Sequence, residues 1–160
     1  MSTNTVTLAL GTNLGNRPEN LRAAIAALPP VVTVNQQSFV YETLPWGVTD
    51  QPSFLNMVVI GETVQKPQEL LKYLKELETR LGRIPSFHYG PRKIDIDILF
   101  YDNLILDTPQ LTLPHPHLHE RAFVLVPLAD LTPEWIHPVS GRTIRQLLAE
   151  VDTTGVKQYG

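Results

Sequence analysis

Strand-like and helix-like segments follow one another in the order β-α-β-β-α-β. That order predicts an α+β fold of the ferredoxin-like arrangement, an antiparallel sheet with two helices on one face. Val6 to Leu10 is a short apolar run closed by Gly11, as expected of a buried strand. Asn16 offers a helix cap and Pro18 suits a first turn. Leu21, Ile25 and Leu28 then recur at helical spacing until Pro29-Pro30 stops the helix. Val31 to Tyr41 and Phe54 to Val64 are rich in β-branched and aromatic residues and predict two strands. The Pro/Gly-rich loop Leu44 to Ser53 joins them. Pro67 opens a second helix with Leu70, Leu74, Leu77 and Leu81 on one stripe, and Gly82 suits its end. Lys93 to Tyr101 is the fourth strand. Asp102-Asn103 should then turn the chain into a short hairpin arm through Leu104 to Leu106, before helical segments near Arg121 to Leu131 and Thr143 to Val151.

Bulk properties narrow the function. The 160 residues suit one domain spanning 1–160, and 42% hydrophobic content fits a packed core. A net charge of −3 lacks the basic surplus of a nucleic-acid-binding module. Cysteine is absent, which excludes disulfides and thiolate zinc sites. Neither a signal pattern nor a membrane-length apolar run is present, so a cytoplasmic location is expected. The glycine-rich Gly11-Thr12-Asn13-Leu14-Gly15 lacks the lysine and hydroxyl of a P-loop and is expected to be a tight strand-to-helix turn.

The chemistry concentrates in Lys93-Ile94-Asp95-Ile96-Asp97-Ile98. Strand alternation puts the isoleucines on one side and Asp95 and Asp97 on the other, roughly 6–7 Å apart at Cα. Two such carboxylates resist ionising together, and a hard divalent cation removes the conflict. A strand with one solvated face alternates in the same way. Arg92 immediately before the strand, with Arg83, His88 and Lys93 nearby, adds the positive charge that phosphoryl transfer needs beside a metal.

Gly90-Pro91-Arg92-Lys93-Ile94-Asp95-Ile96-Asp97-Ile98-Leu99 resembles the signature of the 6-hydroxymethyl-7,8-dihydropterin pyrophosphokinases. The likeness extends from Gly11-Thr12-Asn13-Leu14-Gly15, through Phe54-Leu55-Asn56, to Leu111-Thr112-Leu113-Pro114-His115 and Arg121-Ala122-Phe123, covering nearly the whole chain in order. It implies a ferredoxin-like fold and transfer of pyrophosphate from ATP to the pterin's hydroxymethyl oxygen, with two Mg2+ ions and AMP as the other product. It also implies a monomer acting on small molecules. Asp95 and Asp97 look like the ligands of both ions, and Arg83 and Arg92 complete the implied catalytic set. Phe54 and Phe123 resemble the aromatic pair that sandwiches the pterin, although spacing alone would make them core residues. Thr43 and Asn56 match positions that hydrogen-bond the pterin edge; a backbone partner would satisfy Asn56 equally. Arg83, Arg92, Ile98, Thr112, His115 and Arg121 resemble nucleotide or phosphate contacts. Glu78 matches a position near that pocket, or is a solvated helix residue. The loops Leu44 to Ser53 and Gly82 to Tyr89 resemble mobile lids.

His88-Tyr89, Pro85, Gln110 and Pro116 depart from the family's usual basic and aromatic residues. Two rival readings remain. His115, His117 and His119 would share a face of an extended chain and could bind zinc, and ferredoxin-like domains also serve as ligand sensors.

Overall fold

A computed structural model describes residues 2–43, 52–82 and 93–160. The strands are β1 (Asn4–Thr12), β2 (Thr33–Gln37), β3 (Tyr41–Thr43), β4 (Phe54–Thr63), β5 (Asp95–Tyr101), β6 (Leu106–Asp107), β7 (Thr112–Leu113) and β8 (Val156–Gln158). The helices are α1 (Arg17–Ala27), α2 (Pro67–Arg80), α3 (Ala122–Leu131) and α4 (Ile144–Leu148), with a 3₁₀ turn at Leu118–Glu120. The larger sheet runs β5-β1-β4-β3-β8, with β2 also on β4, and its pairings are antiparallel. With β2 and β3 counted as one interrupted strand, this is the ferredoxin-like order.

Local chemistry explains the helix starts. The Asn16 side chain accepts from the Glu19 amide at 3.2 Å and caps α1, with Pro18 in its first turn. Pro67 opens α2, Glu69 reaches back to the Lys66 amide, and Gly82 follows at φ 93°. Both helices pack on one face of the sheet: Leu21 and Ala24 of α1, with Leu28 just past its end, join Leu70, Leu74 and Leu77 of α2. Val6, Leu8, Leu10, Ile94, Ile96 and Ile98 meet them from the strands.

Two features depart from expectation, and a third was left open by the sequence. Val31 to Tyr41 is not one strand. Asn35 is extra between Val34, which faces Gly61, and Gln36, which faces Ile60; a further residue is gained before Tyr41 faces Asn56. Ser38 keeps the gap tied to β4, donating its N–H to the Val58 carbonyl and accepting the Val58 N–H on its hydroxyl, each at 2.9 Å. Secondly, Asp102 turns the chain at φ 50°, but the hairpin arm is Leu106–Asp107 against Thr112–Leu113, beyond Leu104. Thirdly, the C-terminal segment covers the opposite face of the sheet. Leu118, Val124, Leu125, Leu128, Ile144 and Leu147 form a second core with Val58, Leu99 and Phe100. A bulge makes this possible: Thr7 faces Phe100 and Leu8 faces Ile98, so Leu99 is extra and Phe100 turns to the second core. The chain ends as β8 on the outer side of β3.

Strand β5 lies at the sheet edge, where its outward N–H groups need partners. Glu78 of α2 supplies one. Its carboxylate, fully buried, accepts from the Ile96 amide at 2.7 Å and pairs with Lys75 at 3.3 Å. Glu78 is thus no solvated helix residue; it fixes the strand carrying both aspartates. Glu78→Ala leaves the Ile96 amide unpaired and should lower unfolding free energy by about 2–3 kcal/mol. Urea denaturation measures this, and Glu78→Gln, which keeps an acceptor oxygen, should lose less.

Candidate functional site

The second face of the sheet gathers the candidate residues because alternation selects them. On β4, Leu55, Met57 and Val59 enter the core under α1 and α2, while Val58 enters the core under α3. Phe54 and Asn56 share the Val58 side. On β1, Ala9 packs on the second core and Gly11 lies two residues further on the same side. On β5, Asp95 and Asp97 oppose the three buried isoleucines, as the sequence predicts, and both are partly exposed. Register then sets the rows. Gly11 lies between Asn56 and Asp95, and Ala9 lies between Val58 and Asp97. Asn56 and Asp95 therefore stand one strand apart, about 9–10 Å from strand spacing.

Gly11 belongs to β1 rather than to a turn, and only Gly15 of that stretch has a left-handed φ, 68°. Its role is room: a Cβ there would sit 2.9 Å from Asn56 Oδ1. The amide nitrogen of Asn56 donates to the Thr43 hydroxyl at 3.0 Å, and both side chains are buried. Tyr41, two residues from Thr43 and opposite Asn56, donates its hydroxyl to Asp130 on α3 at 2.8 Å. Burial and that carboxylate push the phenol up to about 12. This bond fastens α3, and hence Phe123 in its first turn, to the strand carrying Thr43. Phe123 is partly buried against the second core, with the Arg121 guanidinium 5.7 Å from its ring centre.

Beside the aspartates lies a cleft of about 240 Å³, walled by α2, β5 and the β6–β7 arm. Asp97, Ile98, Thr112 and His115 line it, and so do Gln110 and Pro116, two of the positions that depart from the family pattern. Lys75 lines it as well; Glu78 does not. The His115 N–H donates to the Leu99 carbonyl at 3.0 Å, and its Nδ1 accepts from the His117 amide at 3.1 Å. Burial, with Arg121 next in effect, lowers the imidazole to about 4. The ring is therefore neutral near pH 7 and carries its proton on Nε2, a donor suited to phosphate.

The three histidines do not share an extended strand. The chain turns into the 3₁₀ segment at Leu118, and His117 Nδ1 lies 2.8 Å from Glu120 Oε1. Among the described residues no group of three or more His, Asp or Glu side chains is placed to hold a metal ion. Nor, among them, is any helix long and apolar enough to cross a membrane. Arg83, Arg92, His88-Tyr89, Pro85 and nearly all of the two expected lids lie outside the described residues. Sequence reading missed Lys75, the Tyr41–Asp130 bond and the spatial role of Gly11. Each depends on neighbours distant in the chain.

The sequence model of the 7,8-dihydro-6-hydroxymethylpterin-pyrophosphokinase family matches residues 7–133. Over 153 residues the chain is 40% identical to the 2-amino-4-hydroxy-6-hydroxymethyldihydropteridine pyrophosphokinase of Methylorubrum extorquens, covering 94% of this chain and 96% of that protein. It is 40% identical over 146 residues to the Aquifex aeolicus protein of the same name, covering 91% of each. The folic acid synthesis protein FOL1 of Dictyostelium discoideum is 40% identical over 152 residues; the match covers 95% of this chain but only 23% of that longer protein. The solved HPPK-DHPS structure of Plasmodium falciparum shares the fold, with a TM-score of 0.76 at 20% identity over 93% of this chain and 45% of that one. The chain belongs to the 7,8-dihydro-6-hydroxymethylpterin-pyrophosphokinase family and is a pyrophosphokinase of folate synthesis.

Proposed function

We propose that the α3-side face of the sheet binds 6-hydroxymethyl-7,8-dihydropterin beside ATP and transfers pyrophosphate between them, with Asp95 and Asp97 holding two Mg2+ ions. The observation that carries this reading is the register placing Asn56, Gly11 and Asp95 in one row, with Asp97 lining the adjoining cleft. Asn56 and Thr43 present an amide and a hydroxyl to the pterin edge, and Phe54 and Phe123 supply two apolar ring faces. Ile98, Thr112, His115 and Arg121 hold the nucleotide, and His115 donates from Nε2. Arg83 and Arg92 contact its phosphates, and Glu78 acts through Ile96 and Lys75 rather than by touching the nucleotide.

Two partly exposed carboxylates on one side of a fixed strand are hard oxygen donors and fit a hard cation. When bound, Mg2+ offsets phosphate charge. The pterin hydroxyl oxygen forms a bond to the β-phosphorus as the bridging bond to the α-phosphate breaks. AMP departs and the hydroxyl proton passes to water. The chain's contribution is positioning: the Asn56–Thr43 pair orients the acceptor and the cleft orients the donor. In this reading residues 1–160 form one catalytic domain, a monomer at work in the cytoplasm.

Incubation with ATP, Mg2+ and the reduced hydroxymethylpterin should yield AMP and the pterin pyrophosphate on nucleotide chromatography. ADP as the sole product, or no pterin-dependent turnover, overturns the proposal. Chelation should abolish turnover, and added Mg2+ should restore it. Asp97→Ala should lower kcat at least about a hundredfold, the scale of lost transition-state charge stabilisation, with pterin affinity nearly unchanged. Gly11→Ala forces the Asn56 amide aside and should weaken pterin binding about tenfold by calorimetry, close to one charge-free hydrogen bond. ATP-analogue binding should be unaffected.

A further inference from the structure

Arg17 is the first residue of α1, where the helix dipole disfavours a cation, so helix stability does not account for it. Its side chain is only 23% exposed and reaches across to the sheet. One guanidinium nitrogen donates to Glu42 Oε2 at 2.6 Å and to the Ser53 carbonyl at 3.0 Å. The guanidinium carbon also lies 5.6 Å from the ring centre of Tyr159, just past β8. Asn13, from the same β1–α1 connection, donates to the Pro52 carbonyl at 3.0 Å.

Glu42 immediately precedes Thr43, and Ser53 immediately precedes Phe54. Among the described residues Thr43 and Phe54 are the last pair of the β3–β4 ladder, where strand ends open most readily. Arg17 holds the neighbour of each, from a helix anchored in the core by Leu21 and Ala24. The Asn56–Thr43 bond depends on that same pair staying closed.

We propose that Arg17 is a positioning residue for pterin binding: by tying Glu42 to the Ser53 carbonyl it sets the spacing of Thr43 and Phe54, and it touches neither substrate. The inference rests on the pterin placement proposed above. It assigns Arg17 an effect on one substrate alone, because the ATP cleft between α2, β5 and the β6–β7 arm contains none of its partners.

The test compares wild type, Arg17→Met and Glu42→Gln by calorimetric binding of the pterin and of a nonhydrolysable ATP analogue, with kcat at saturating pterin. Arg17→Met should weaken pterin binding about tenfold, the scale of a charge-assisted hydrogen bond, and Glu42→Gln, which keeps an acceptor oxygen but loses the charge, should weaken it less. Analogue binding and kcat should stay within about threefold of wild type, below the effect of one such bond. Arg17→Lys, which keeps the charge and one contact, should recover part of the loss. Unchanged pterin affinity in both variants overturns the inference, as does equal weakening of both ligands with a matching fall in melting temperature. Asn56→Ala separates the two levels. If it weakens pterin binding while Arg17→Met does not, the role of Arg17 alone fails. If Asn56→Ala has no effect, the pterin placement fails as well.

Discussion

The site depends on the pairing of β1 with both its neighbours. Among the described residues β1 is the one strand touching both β4 and β5, and no direct ladder joins the amide of β4 to the carboxylates of β5. A slip of one residue in either pairing would send Asn56 or the aspartates to the opposite face, because side chains alternate. The apolar alternation of Val6, Leu8 and Leu10 against Met57, Val59, Ile96 and Ile98 fixes both registers by burial. The hydrophobic core under α1 and α2 thus specifies the polar site on the other face. Gly11 completes the row by leaving the space that the Asn56 side chain fills.

Edge position makes β5 accessible to ligands and also vulnerable. Buried Glu78 meets that weakness by capping the Ile96 amide from α2, and the His115 amide, bonded to the Leu99 carbonyl, ties the next loop to the same strand. The Leu99 bulge turns both Leu99 and Phe100 into the second core, while Ile94, Ile96 and Ile98, which flank the aspartates, stay in the first. On the far side of the site, Tyr41 and Asp130 join α3 to β3. The two aromatic candidates, one on β4 and one on α3, therefore belong to elements cross-linked through a third.

Much was legible in linear order. The helix stripes, the Asn16 cap, the proline starts and the Asp95–Asp97 alternation are local patterns with periods of 3.6 or 2, and they survive folding unchanged. The broken β2–β3 strand was not legible, because the bulges answer to β4 rather than to the run's own composition. Nor was the place of β8, a short polar strand that acquires structure only by pairing with β3. The arrangement of the histidine cluster was illegible for a related reason. Strand spacing would put His115, His117 and His119 on one face, but the chain turns at Leu118, whose side chain is drawn into the second core.

The sequence by itself determined the order of the first main strands and helices and the pairing of carboxylates on one strand face, both of which follow from residue spacing along the chain. The family came from the resemblance of its motifs. Tertiary structure alone decided that Asn56, Gly11 and Asp95 share a row and that Lys75 faces the cleft while Glu78 is buried. It alone decided that Arg17 clasps two strand ends. These depend on register and helix rotation, which are set by which apolar surfaces meet across the chain.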